Sequence, residues 1–308
     1  MNKTVTVNNS NNKNILAIFG LLFGATCWGF IWYPYRILSD AGISGVASSF
    51  YTYTIACVIA GLYFARYFLS HWRSVFAQPI SIIWLSIVAG WTNLSYVLAV
   101  IDGEVMRIML LFYLSPLWTL LLAHFWLKEP ISRAGFMAII VAMIGAYIML
   151  ANPFSGNFAW PLPQNKAEWL ALSAGIGFAL TNVITRKAVH LSIAAKSFAV
   201  WLGVVVMAVL FMPFLGKAFP KPSFFTVSNW LIMLGIAILI MSATLLVQYG
   251  VTKMTATRAS VLFLFELIVA AVASYYLAHE AMKINEWLGG LLIIAAALYS
   301  VFSHANTD

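Results

Sequence analysis

Residues 261–280 read VLFLFELIVAAVASYYLAHE, an apolar run with one carboxylate inside it, Glu266, and another closing it, Glu280. A helix rises 1.5 Å per residue, so about 20 apolar residues cross a hydrocarbon core of about 30 Å, and a helix satisfies its own backbone hydrogen bonds there. Further stretches of this kind fill the 308-residue chain almost end to end. Apolar windows between charges and turn residues predict helices near 15–38, 46–69, 80–101, 105–126 and 133–151, then near 168–190, 194–214, 228–249, 256–278 and 285–303. The expected fold class is an all-α membrane protein with ten transmembrane helices.

The polar, proline-containing stretch NPFSGNFAWPLPQNK (152–166) divides these helices into two sets of five. Sparse charges recur across that divide. Arg36 and Arg186 are 150 residues apart, Arg107 and Arg258 are 151 apart, and Glu129 and Glu280 are 151 apart. An odd number of spans per half makes the second half enter the membrane from the opposite side, so the repeat is inverted. The expected organisation is a polar cytoplasmic N-terminal tail at 1–14, a first repeat at 15–151, a linker at 152–167, a second repeat at 168–303 and a tail at 304–308. With both termini in the cytoplasm, inside segments collect Lys3, Lys13, Arg66, Arg73, Lys128, Arg133, Arg186, Lys187, Lys196, Lys253 and Arg258. Outside segments collect Arg36, Arg107, Lys166, Lys217, Lys221 and Lys283, and the imbalance follows the positive-inside rule for a cell-membrane protein.

Composition excludes several functions. Charged residues are 8% of the chain and hydrophobic ones 63%, which leaves no room for a soluble enzyme. The net charge of +8 is scattered between apolar runs, so it reads as topology and implies no nucleic-acid partner. Cys27 and Cys57 lie inside apolar runs without metal-like spacing, and His124 and His279 lack ligand-spaced partners, so no metal or cofactor is expected. No phosphate-binding GxxxxGK[ST] loop, Ser/His/Asp set or HExxH motif occurs, so gradients rather than ATP are expected to drive any transport.

Residues 110–150 (LLFYLSPLWTLLLAHFWLKEPISRAGFMAIIVAMIGAYIML) and 255–299 (TATRASVLFLFELIVAAVASYYLAHEAMKINEWLGGLLIIAAALY) share one pattern: an apolar run, a helix-end glutamate, then a small-residue helix. In this the chain resembles the drug/metabolite transporter superfamily, specifically its ten-helix EamA-type exporters. The resemblance implies a metabolite exporter with an intramembrane glutamate at Glu266 and helix-end glutamates at Glu129 and Glu280. Leu267 stands where the family often has proline, a departure that leaves a kink at that point open.

Glu266 falls near the bilayer midplane, where a carboxylate is costly and faces the protein interior. It is a candidate partner for a substrate amine or a proton-carrying group; the alternative is a hydrogen-bonded brace between helices. Pro116 lacks an N–H and clashes with the carbonyl of Phe112, so the fourth helix is expected to kink or free that carbonyl. Pro34, Pro116 and Arg107 are candidate hinge or gate residues; for Arg107 a role in topology, snorkelling to water, is the first expectation, and an outside gate with Asp102 or Glu104 the alternative. Polar side chains inside spans are Asn93, Tyr96, Ser115, Asn182, Thr181, Thr244 and Gln248; Asn93 and Thr244 share the 151-residue offset and are expected to approach the midplane from opposite halves. Together with Trp28, Trp32, Tyr113, Trp118 and Trp201 they are candidates for a substrate cavity, although interhelical hydrogen bonding also accounts for such polar groups.

Inverted repeats exchange conformations to open a central cavity to either side in turn. The expected function is a secondary transporter that moves small organic metabolites, foremost apolar or aromatic amino acids, out across the cell membrane by alternating access. Its partners are a small-molecule substrate and membrane lipid; proton exchange at Glu266 and facilitated, gradient-following exit without protons are the two modes of coupling left open. The alternatives are an exporter of lipophilic cations or drugs and a non-transporting membrane enzyme or sensor.

Overall fold

The computed structural model describes residues 3–75, 78–128, 133–151, 162–215, 220–254, 259, 262, 263 and 265–305. Among these the chain is all helical: α1 (Lys3–Asp40), α2 (Gly45–Ser70), α3 (Pro79–Asp102), α4a (Val105–Phe112), α4b (Ser115–Leu127), α5 (Arg133–Ala151), α6 (Lys166–Lys187), α7 (Ile193–Phe211), α8 (Val227–Lys253), α9 (Phe265–Ala273, extended by a wider turn to Ala278) and α10 (Ile284–Ala305). With α4a and α4b forming one span, these are ten transmembrane helices in two inverted five-helix repeats. Seven of the spans are long and apolar enough to cross a membrane by length and composition.

Local sequence sets the helix starts. Ser44, Asn165, Ser192 and Thr226 each accept a hydrogen bond from the backbone N–H three residues on, satisfying a donor that the first turn would otherwise leave bare. α1 begins at Lys3, ahead of the start near 15 that hydropathy predicts, and it runs without a break through Pro34. α4b and α9 end on the non-glycine residues with left-handed backbone, Lys128 (φ 57°) and His279 (φ 55°), which are 151 positions apart. Each directly precedes a helix-end glutamate; Glu129, like Arg258, lies outside the described residues.

Packing repeats the sequence offset. α1 lies along α8 as α3 lies along α6; α4a and α4b pack on α6 as α9 packs on α1; α2 meets α7, and α5 meets α10. Exchanging the two halves therefore maps each of these neighbours onto another. Hydrophobic surface gives helices little reason to associate in lipid, so close approach through small residues matters. At the α3–α7 crossing, a Cβ on Gly203 would collide with the Ser86 backbone, and one on Gly90 with the carbonyl of Gly203. Large apolar side chains such as Leu62, Ile80 and Leu231 face outward, where lipid covers them.

The fourth helix of each half is interrupted. Tyr113 and Leu114 separate α4a from α4b, and Pro116 occupies the second position of α4b. Proline is tolerated in a first turn because the N–H it lacks would have no helical partner there. The carbonyl of Phe112 meets Gly175 of α6, where an added Cβ would lie 2.6 Å from it. In the second half Phe263 is a turn residue and α9 begins at Phe265 although Leu267 replaces proline. Phe112 and Phe263, like Ser115 and Glu266, are 151 residues apart.

Candidate functional site

The break in the second half delivers Glu266 to the first turn of α9, whose amide dipoles favour negative charge. Its side chain is buried and lines a cavity of about 110 Å³ between the two halves. Of the residues singled out from the sequence, Trp28, Asn93, Tyr96, Asn182, Thr244 and Gln248 share that lining with Glu266, and Thr181 joins them. Asn93 and Thr244 enter it from opposite halves.

The other candidates lie elsewhere. Trp32 and Trp201 are fully buried in the core, and Trp32 stacks beneath the Arg36 guanidinium at 5.3 Å. Trp118 packs partly buried against the core. Tyr113 is buried as an electrostatic neighbour of Glu266 but does not line the cavity. Sequence reasoning missed Tyr53, Thr92, Phe112 and Phe178, which do. The repeat held a signal for two of them: Phe178 is 150 residues after Trp28, and Phe112 is 151 before Phe263.

Aromatic rings form one wall. Phe178 meets Trp28 edge-on at 5.8 Å, Phe112 at 5.3 Å and Phe263 at 5.1 Å, while Tyr96 lies 5.3 Å from Phe112. Polar groups form the other. The Asn93 amide donates to the Tyr53 hydroxyl at 2.8 Å, and the Tyr96 hydroxyl donates to Met109 Sδ at 3.0 Å. Asn93 Oδ1, Thr181 Oγ1, Asn182 Nδ2, Gln248 Oε1 and Glu266 Oε2 are buried without a hydrogen-bond partner. Buried polar groups are normally satisfied, so this set is prepared for something that supplies partners. Glu266 is the one charged side chain in the lining among the described residues, and it makes no ion pair with them. A site rich in acceptors, with a carboxyl group and aromatic faces, suits a cation. No group of three His, Cys, Asp or Glu among the described residues is placed to hold a metal.

Ion pairs gather at the end of the bundle where α1 finishes. Arg36 bonds Glu280 at 3.1 Å and also donates to the carbonyls of Val100 (3.0 Å) and Gly103 (2.7 Å). The second oxygen of Glu280 accepts the Val105 N–H at 2.8 Å, capping α4a. Arg107 pairs with Glu168, at 2.7 Å, and not with Asp102 or Glu104. The sequence pointed to near neighbours, but the start of α6 lies closer in space; Glu104 faces Lys283 at 3.7 Å. Lys196, counted above among the topological charges, is fully buried.

The EamA-like transporter family matches residues 15–151 and 165–302. An S-adenosylmethionine uptake transporter of Rickettsia bellii is 28% identical over 70% of this chain and 69% of its own length. Its counterpart in Rickettsia prowazekii is 28% identical over 71% and 69%. An uncharacterized transporter of Archaeoglobus fulgidus is 24% identical over 67% and 71%. One solved crystal structure superposes with a TM-score of 0.65 over 95% of this chain and 98% of its own, at 15% identity, which supports the fold. With a family match that takes in both halves, the chain belongs to the EamA-like transporter family and is a multi-pass membrane transporter of small molecules.

Proposed function

We propose that this transporter carries small organic cations or zwitterions that join an amine or sulfonium to an aromatic or apolar group. The observation that carries this reading is Glu266, a carboxyl group without an ion-pair partner among the described residues, in a cavity whose free polar atoms include the amide oxygens of Asn93 and Gln248 and one of whose walls is aromatic. S-adenosylmethionine is the first candidate, on the names of the Rickettsia relatives. Apolar and aromatic amino acids, the expectation from sequence, are the second and share the amine.

An unpaired carboxylate out of water is costly, so a bound proton or a bound cation neutralises it. Competition between the two for one carboxyl group couples substrate movement to protons in the opposite direction. Alternating access exchanges the conformations of the halves around the fixed cavity. Such a carrier runs either way, and the gradients present decide between uptake and export. Cytoplasmic termini place the Arg36 end on the outside of the cell membrane.

The test is flux into proteoliposomes of S-adenosylmethionine, L-phenylalanine and tetraphenylphosphonium, with and without a pH gradient, for wild type and Glu266→Gln. Saturable flux of the first or second compound, lost in the folded variant, supports the reading. Flux of tetraphenylphosphonium alone moves the assignment to a lipophilic-cation exporter. Equal flux of every compound in both proteins overturns the role of Glu266.

A further inference from the structure

One helical turn from the cavity, toward the end where α6 and α8 finish, three helices converge on Lys196. Its side chain is 0% exposed, and Nζ donates to the Thr185 carbonyl at 3.0 Å and to Thr252 Oγ1 at 3.2 Å. Arg186 joins it, donating to the Thr252 carbonyl at 3.0 Å. Among the described residues no carboxylate pairs with either cation. Positive charge for topology is supplied at the same end by Lys187 and Lys253, which are exposed, so a buried lysine there serves another purpose.

Each member of this cluster lies four residues from a cavity residue: Thr185 from Thr181, Lys196 from Val200, Thr252 from Gln248. Four residues of helix are about 6 Å. Thr252 Oγ1 donates to the Gln248 carbonyl at 2.7 Å, tying the cluster to the cavity floor. Lys196 uses two of its three N–H groups on described residues. The hydroxyls of Thr185 and Ser197 beside it are buried without partners. The cavity above offers a carboxyl group and neutral amide and hydroxyl groups but, among the described residues, no cation, so the full negative charge of a zwitterion finds a cationic partner only at this cluster.

We propose that Lys196, with Arg186 beside it, is the subsite for the carboxylate of the substrate, on the route between the cavity and this end of the bundle. The assignment rests on the cavity's being the site for the substrate's cationic group. An arriving carboxylate takes the N–H of Lys196 that no described residue uses and compensates two charges that, among the described residues, lean on neutral acceptors.

The experiment is ligand binding to the purified full chain, read by intrinsic tryptophan fluorescence because Trp28 lines the cavity. Two matched pairs serve as probes: L-phenylalanine with phenethylamine, and S-adenosylmethionine with its decarboxylated form. Wild type is expected to favour the carboxylate-bearing member by about tenfold or more. Lys196→Met should bring that ratio near one while leaving the decarboxylated member's affinity unchanged, and Lys196→Arg should keep it. Should Lys196→Met not give monodisperse protein, Lys196→Gln carries the same comparison. A wild-type ratio near one, a ratio that survives in the variant, or equal weakening of both members overturns the subsite and leaves the cavity reading intact. Folded wild type that binds none of the four compounds overturns both.

Discussion

The two halves of the bundle share a frame and differ in what they place on it. Arg36 and Arg186, 150 residues apart, both donate to a carbonyl near the end of a neighbouring helix, Val100 in one case and Thr252 in the other. Among the described residues, Arg36 adds a carboxylate, Glu280, whereas Arg186 is joined by a second cation, Lys196. At the midplane breaks, the first half offers Ser115 and Pro116 where the second offers Glu266 and Leu267. The lesson is that the repeat sets the frame of the bundle, and departures from it set which charged and polar groups meet.

The largest effect that follows concerns those breaks. Glu266→Gln is expected to lower substrate flux about 100-fold, the scale of losing one partner of a desolvated charge pair. Adding Ser115→Glu to that variant should not restore it, because Ser115 is absent from the cavity lining. Restored flux in the double variant, measured by counterflow, would make the halves interchangeable and break the comparison.

Next comes the Arg107–Glu168 pair, which the repeat does not reproduce: position 18, 150 residues before Glu168, is Ile18. Arg107→Ala leaves the buried Glu168 with only the Gln164 N–H and Asn165 amide as partners, and should cost about 3 kcal/mol of stability in detergent unfolding. A loss below about 1 kcal/mol would place this pair with exposed surface bridges.

A smaller contrast separates the two ends. Arg36→Ala removes three hydrogen bonds and the stacking on Trp32 and should cost about 2 kcal/mol, against about 1 kcal/mol for Arg186→Ala, which removes one described bond. Equal thermal shifts for the two variants would show that the carboxylate adds nothing to the arginine–carbonyl frame.

The smallest effect belongs to Pro116. The second half interrupts its helix without proline, so packing of Phe112 against Gly175 is enough to hold the break in the first. Pro116→Ala is expected to change stability by less than about 1 kcal/mol and leave flux unaltered. A large loss of flux would restore proline as the hinge.

Much of this was legible in the chain, and the limit of legibility has a cause. Runs of apolar residues long enough to span a bilayer fixed the helices, and charges too sparse to coincide by chance revealed the two halves. Glu266 stood out because ionised groups at the midplane are costly. Among the candidate aromatics, Trp28 reached the cavity while Trp32, one turn later on the same helix, points into the core beneath Arg36. Hydropathy does not separate those outcomes, since in a membrane lipid, core and cavity wall are similarly apolar. The rotation of each helix about its axis is thus left open.

The sequence by itself determined the medium, the number of spans and their inverted duplication, because each follows from local hydropathy and spacing. Tertiary structure decided the partners: Arg36 with Glu280 across 244 residues, Arg107 with Glu168 across 61, and Lys196 with two helix ends that strip it of water. Those choices depend on how tightly glycines let helices approach and on which face each helix turns inward, quantities that exist only once the bundle has assembled.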